Sequence, residues 1–151
     1  IIIEIEEELI QKIKNDPDYI QFIKNPTEEM QMIAVEKEGY AIRHIENPTK
    51  KVQLEAVKQS GYFIRFIKNP SEAVQLAAIK QNRCSIQYIE NPTEETQLES
   101  VKQNGSDIMF IKNPTEKVTR TAILNGASKE DLKNIDISEL SDETRLIIEL
   151  L

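Results

Sequence analysis

Apolar residues along this chain recur on a short and a long period at once. In NPTKKVQLEAVKQSGYFIRFIK (residues 47–68), Val52, Leu54, Ala56 and Val57 mark one stripe of a helix about ten residues long. Ile64, Phe66 and Ile67 then mark a short second helix. The whole pattern returns without a gap every 22 residues, from Asn25, Asn47, Asn69, Asn91 and Asn113. A fixed period of this size marks a stacked array, because one such unit cannot bury its own apolar stripe.

The turn between units is written in Asn25-Pro26, Asn47-Pro48, Asn69-Pro70, Asn91-Pro92 and Asn113-Pro114. Proline stops the preceding helix and drives the Asn before it out of the right-handed helical region. Thr or Ser at the third position caps the next helix, and the acids that often follow suit its positive end. Gly39, Gly61 and Gly105 are expected to close the longer helix as left-handed caps. A small residue at the tenth position (Ala34, Ala56, Ala78, Ser100, Ala122) fits a close approach of neighbouring helices. Gln31, Gln53, Gln75 and Gln97, with the leading asparagines, are expected to form ladders that satisfy backbone groups between copies.

This gives one domain over residues 1–151: a divergent N-terminal cap at 1–24, five repeats at 25–126, and C-terminal cap helices at 127–151. The motif Asn-Pro-[Thr/Ser]-Glu-x-Val-Gln-Leu-x-Ala-Val-Lys-Gln-Asn-Gly-x-x-Ile-x-Phe-Ile resembles helical repeats of unknown function in bacterial and bacteriophage proteins. It is similar in architecture to HEAT and armadillo arrays, with a much shorter unit. The resemblance covers residues 25–126 and implies an α-solenoid and a phage or bacterial source; it carries over no catalytic residue. The expectation is an all-α, right-handed solenoid of about six or seven helix pairs, roughly 55–70 Å long.

Composition narrows the function. Four Phe, four Tyr and no Trp beside many aliphatic residues favour helix packing over a β-sandwich. The lone Cys84 forms no internal disulfide, and no apolar run approaches a membrane span. The opening IIIEIEEELI has no basic leader, so it does not read as a signal peptide; it begins on Ile, as a chain trimmed from a longer parent would. Net charge is −7, with −3 on residues 1–24, −1 on 25–112 and −3 on 113–151. That balance argues against direct nucleic-acid binding. The expected setting is cytoplasmic, in the host cell if the source is a phage.

No phosphate loop, metal-binding motif or nucleophile constellation is present, so no cofactor and no enzyme activity are expected. His44 fills a position otherwise held by Phe22, Phe66, Tyr88 and Phe110, and is expected to pack as they do. Cys84 falls where Tyr40, Tyr62 and Ser106 fall, a tolerant position. Glu28-Glu29 and Glu94-Glu95 sit in first helical turns, where the helix dipole accounts for them. Asn104-Gly105-Ser106 fits a glycosylation acceptor, but nothing marks the chain as secreted.

Function is therefore expected on the surface. The last repeat position alternates Lys24, Glu46, Lys68, Glu90, Lys112; these charges are close enough to pair across copies, and the favoured reading is a solvated ladder that contributes little per pair. Arg43, Arg65, Gln87 and Met109, with Lys58, Lys80 and Lys102, form a candidate strip for a protein partner. The expected function is a non-enzymatic protein-binding module. Two alternatives stay open: a phage-encoded inhibitor of a host defence system such as a CRISPR effector, and a structural array that self-associates through the apolar ends IIIEI and LIIELL.

Overall fold

The computed structural model describes residues 1–151. It is all-helical, and consecutive helices pack on one another. The α-helices are α1 (Ile2–Asn15), α2 (Glu28–Lys37), α3 (Lys50–Gln59), α4 (Glu72–Gln81), α5 (Glu94–Gln103), α6 (Glu116–Leu124) and α7 (Asp142–Leu150). A 3-10 helix follows each of the first five: Pro17–Phe22, Gly39–His44, Gly61–Phe66, Arg83–Tyr88 and Gly105–Phe110. Repeats are numbered 1 to 5 from Asn25, Asn47, Asn69, Asn91 and Asn113, and positions count from each Asn. The α-helices form one layer, the 3-10 helices a second, and the core lies between them.

The α-helices start as their sequence dictates. The hydroxyls of Thr27, Thr49, Thr93 and Thr115 accept the N–H three residues on, at 3.3–3.4 Å. Their apolar stripe is buried against neighbours: Met30, Val52, Val74 and Val118 at position 6, and Val35, Val57, Ile79 and Val101 at position 11. All five small residues at position 10 are fully enclosed.

The ends differ from expectation. Gly39, Gly61 and Gly105 are not left-handed caps; each instead opens a 3-10 helix. The α-helix ends one residue earlier, where Glu38, Ser60, Asn82 and Asn104 turn to extended backbone (φ −148° to −157°). Each still donates its N–H to the carbonyl of position 10, and its own carbonyl accepts from position 17. Glycine is required there for space. A side chain at Gly61 would collide with the Ala78 carbonyl and the Ser85 hydroxyl of the next repeat. The one left-handed glycine is Gly126 (φ 91°), just beyond α6.

The second helix is 3-10 because positions 15, 18 and 21 all face inward. Gly61, Ile64 and Ile67 are buried, as are Gly105, Ile108 and Ile111. A helix with three residues per turn aligns those positions in one row. Full burial of each isoleucine contributes about 1.5–3 kcal/mol, enough to hold a 3-10 segment whose hydrogen bonds are individually poorer.

The glutamine ladder is real but alternates. All four position-7 glutamines donate to the proline carbonyl of their own repeat, at 2.9–3.0 Å. Only Gln31 and Gln75 also reach across, accepting from the N–H of Thr49 and Thr93. Asn25, Asn69 and Asn113 are left-handed (φ 56°, 48°, 49°), whereas Asn47 and Asn91 are not. Two turn geometries thus alternate, and the true structural period is 44 residues. The predicted asparagine ladder does not form: the side chains of Asn25, Asn47, Asn69, Asn91 and Asn113 are exposed and make no hydrogen bond. Sequence reasoning missed a second ladder, in which Gln59 and Gln81 at position 13 accept from the N–H of Gly39 and Gly61 (2.8 and 2.5 Å).

After α6 the pattern breaks. Residues 127–140 hold turns in place of a 3-10 helix, filling the end of the core with Ala127, Leu132 and Leu140. The expected C-terminal cap helices reduce to α7. The Glu116 carboxylate ties it to α6 by accepting from Ser141 and Thr144, beside an Arg120–Glu143 pair at 2.9 Å.

Two stability outcomes follow. Gln75→Ala strands a carbonyl and an N–H and is expected to lose roughly 1–3 kcal/mol, against about 1 kcal/mol or less for Gln53→Ala. Gly61→Ala is expected to lose about 1–3 kcal/mol through overpacking. Urea unfolding of the three variants checks both.

Candidate interaction surfaces

Because positions 15, 18 and 21 turn inward, positions 16, 19 and 20 of each 3-10 helix are left on the outer side. Position 16 of one repeat meets position 20 of the next. Tyr40 packs on Phe66 with ring centres 5.4 Å apart, and Tyr62 on Tyr88 at 5.6 Å, both edge-on at 70°. Arginine fills the gaps between rings. The Arg65 guanidinium lies 5.4 Å from Phe66 and 5.3 Å from Tyr88, and that of Arg43 lies 3.9 Å from Tyr40. The outer face nonetheless stays open. Phe22 is 72% exposed, Met109 58% and Phe110 42%, and Tyr40, Tyr62 and Tyr88 are also exposed. The outer surface of α2 to α5 is instead mostly Glu, Lys and Gln, and the exposed large aliphatic residues of the α layer are confined to α1 (Ile2, Ile3, Ile5), α6 (Leu124) and α7 (Leu146, Leu150).

His44 does more than pack. Its partner at position 16 of the preceding unit is Asp18, with His44 Nε2 3.4 Å from Asp18 Oδ1. Arg43 Nη2 donates to Asp18 Oδ2 at 2.6 Å, and Arg43 Nε donates to His44 Nε2 at 2.8 Å. An Asp18–Arg43–His44 trio thus replaces the ring pair at this step. The signal in the sequence is Asp at position 16 with His at position 20 one unit later.

A second exchange lies between repeats 3 and 4. Arg83 stands where other repeats carry the crowded glycine, and its guanidinium pairs with Asp107 of the next repeat. Asp107 is 2% exposed and also accepts from Ser100 Oγ (2.9 Å) and Asn104 Nδ2 (3.3 Å). Burial pushes its carboxyl above the usual range, against the opposing pull of Ser100, Arg83 and Asn104.

The seven predicted partner-binding residues lie on two layers. Arg43, Arg65, Gln87 and Met109 are on 3-10 helices, while Lys58, Lys80 and Lys102 are in the last turns of α3, α4 and α5. Arg43 is held by Asp18, Gln87 donates to the Cys84 carbonyl, and Lys58 lies 3.9 Å from Glu55. Cys84 is a free, half-buried thiol.

The turns between units form an edge. Lys24, Glu46, Lys68, Glu90 and Lys112 are all exposed along it and none joins an ion pair, so they stand as a solvated ladder and do not pair across copies. Three hollows open on this edge; the smallest, about 360 Å³, lies between Glu90 and Asn113, and the other two are equivalent and 44 residues apart. One of about 560 Å³ is lined by Arg65, Lys68, Asn69, Gln75, Tyr88 and Glu90. The other, of about 460 Å³, is lined by Gln21, Lys24, Asn25, Gln31, His44 and Glu46. No group of three His, Cys, Asp or Glu side chains is placed to hold a metal, and no helix is long and apolar enough to cross a membrane. Comparison of the chain with family models, curated proteins and solved structures finds no match.

The Asp107 cluster predicts a pH effect. The folded chain holds this proton more tightly than the unfolded chain, so the group's contribution to stability is full in acid and is lost as pH rises through the raised folded value. Moving from neutral pH toward about 4 is therefore expected to stabilise the native protein relative to Asp107→Asn, measured by urea unfolding across that range.

Proposed function

We propose that this chain is a right-handed, HEAT- and armadillo-like α-solenoid that binds a protein partner through its 3-10 face, without catalysing a reaction. One observation carries the reading: the outer side of the 3-10 layer exposes Tyr40, Tyr62, Tyr88, Phe110 and Met109 along the repeats, while in the same repeats α2 to α5 expose mostly charged and amide side chains, exposed large aliphatic residues of the α layer being confined to the terminal helices α1, α6 and α7. Tyr, Phe, Met and Arg are the residues enriched at the buried centres of protein interfaces, and Lys and Glu are depleted there. Tyr40 and Tyr62 are held against Phe66 and Tyr88 of the following repeats, so these rings have little side-chain entropy left to lose on binding. Arg65 carries a charge with no acidic partner in the chain, which suits an acidic group on the partner.

The free Cys84 thiol suits a reducing compartment, and we place the interaction in the cytoplasm. Inhibition of a host defence complex is one form this binding takes; the identity of the captured protein decides it. The test compares variants of the two layers in capture from a bacterial lysate. Tyr62→Ser with Tyr88→Ser, or Arg65→Glu alone, is expected to weaken capture of a stoichiometric partner by roughly tenfold or more. Lys80→Ser with Lys102→Ser is expected to leave it unchanged. Equal capture by all variants overturns the assignment of this face.

A further inference from the structure

We propose that the edge formed by the Asn-Pro turns is a self-association surface, on which two copies of this chain pair antiparallel about a two-fold axis. Three observations converge there. The first is five exposed charges of strictly alternating sign, Lys24, Glu46, Lys68, Glu90 and Lys112, each without a partner in its own chain. The second is the row of asparagine carboxamides beside them. The left-handed turn accounts for Asn at 25, 69 and 113, but Asn47 and Asn91 have no such backbone and still make no side-chain hydrogen bond. A carboxamide is both donor and acceptor, so it is complementary to another copy of itself.

The third is symmetry. A two-fold interface sets residue i against j and j against i, so the patch must be complementary to its own reverse. With the axis between Glu46 and Lys68, Lys24 faces Glu90 of the second copy and Glu46 faces Lys68, giving four opposite-charge pairs in all. A second register, pairing Lys68 with Glu90 and Glu46 with Lys112, also matches signs. It sets the N-terminal cap, of net charge −3, beside the C-terminal region, also −3. The first register sets that cap against repeat 3 and leaves the acidic C-terminal region beyond the contact. Exposed ion pairs contribute little each, so they fix orientation and register while the half-buried Pro26, Pro48, Pro70 and Pro92 beside them supply apolar contact. The dimer is consequently weak and sensitive to salt.

Sedimentation equilibrium of the full chain, at low and high salt, tests this. The native protein is expected to dimerise at low salt and dissociate as salt rises. Glu46→Lys alone, and Lys68→Glu alone, set like charges face to face and are expected to raise the dissociation constant by roughly tenfold or more. The double variant Glu46→Lys/Lys68→Glu restores opposite signs and is expected to recover dimerisation. Lys112→Glu lies outside the contact and is expected to change nothing. These side chains are exposed, and circular dichroism checks that each variant stays folded. A monomer at every concentration and salt, or a double variant no better than the singles, overturns the proposal; dissociation by Lys112→Glu overturns this register. The lysate test alters different residues, so either reading can fail without the other.

Discussion

Each unit of this protein is too small to bury its own apolar stripe, and every other feature answers to that constraint. Val52, Ala56 and Val57 are fully enclosed, yet the 22 residues of repeat 2 contain only one α-helix and one 3-10 helix to enclose them. The missing wall is supplied by repeats 1 and 3. Identical spacing in each copy is the condition for those walls to meet, which is why the small residue at position 10 and the Asn-Pro turn recur without insertion. Position 10 sets how closely helices approach; a larger side chain there would have to displace the neighbouring helix.

The demand for close stacking also explains how the chain turns. Position 14 goes extended, the next residue is pressed against the following repeat, and only glycine fits unless the neighbour changes too. Repeat 3 shows the alternative: Arg83 takes the glycine's place and repeat 4 answers with Asp107. The Asp18–His44 step repeats this logic on the ring ladder. In both cases the departure in one copy is matched in the next, so the stack tolerates chemical variety at a step while keeping its geometry. The outer sides of the two layers then diverge, one solvated by Lys and Glu, the other carrying rings and arginine.

Much of this was legible in the residues alone. Period, turn chemistry and threonine caps are local properties of consecutive residues, so the helix starts, the 22-residue frame and the buried stripe could be read directly. The 3-10 character was present as Gly-x-x-Ile-x-x-Ile, a period of three. It is easily taken for part of a 3.6-residue pattern over so few residues. The glycines misled because their usual role is conformational, whereas here it is spatial, and the space is set by a residue of the following repeat.

What the chain does not reveal is how equivalent positions in different copies face one another. Gln31 and Gln53 occupy the same place in the sequence motif, yet one bridges two repeats and the other does not, because the turn ahead of it has a different backbone. The asparagines look structural by repetition, but their carboxamides point into solvent. Arg43 looks free until Asp18, 25 residues earlier, is brought beside it. Local periodicity dictates which residues go inside, since burial depends on a residue's own polarity and spacing. Pairing between copies depends on relative placement over tens of residues, and only the packed stack determines it.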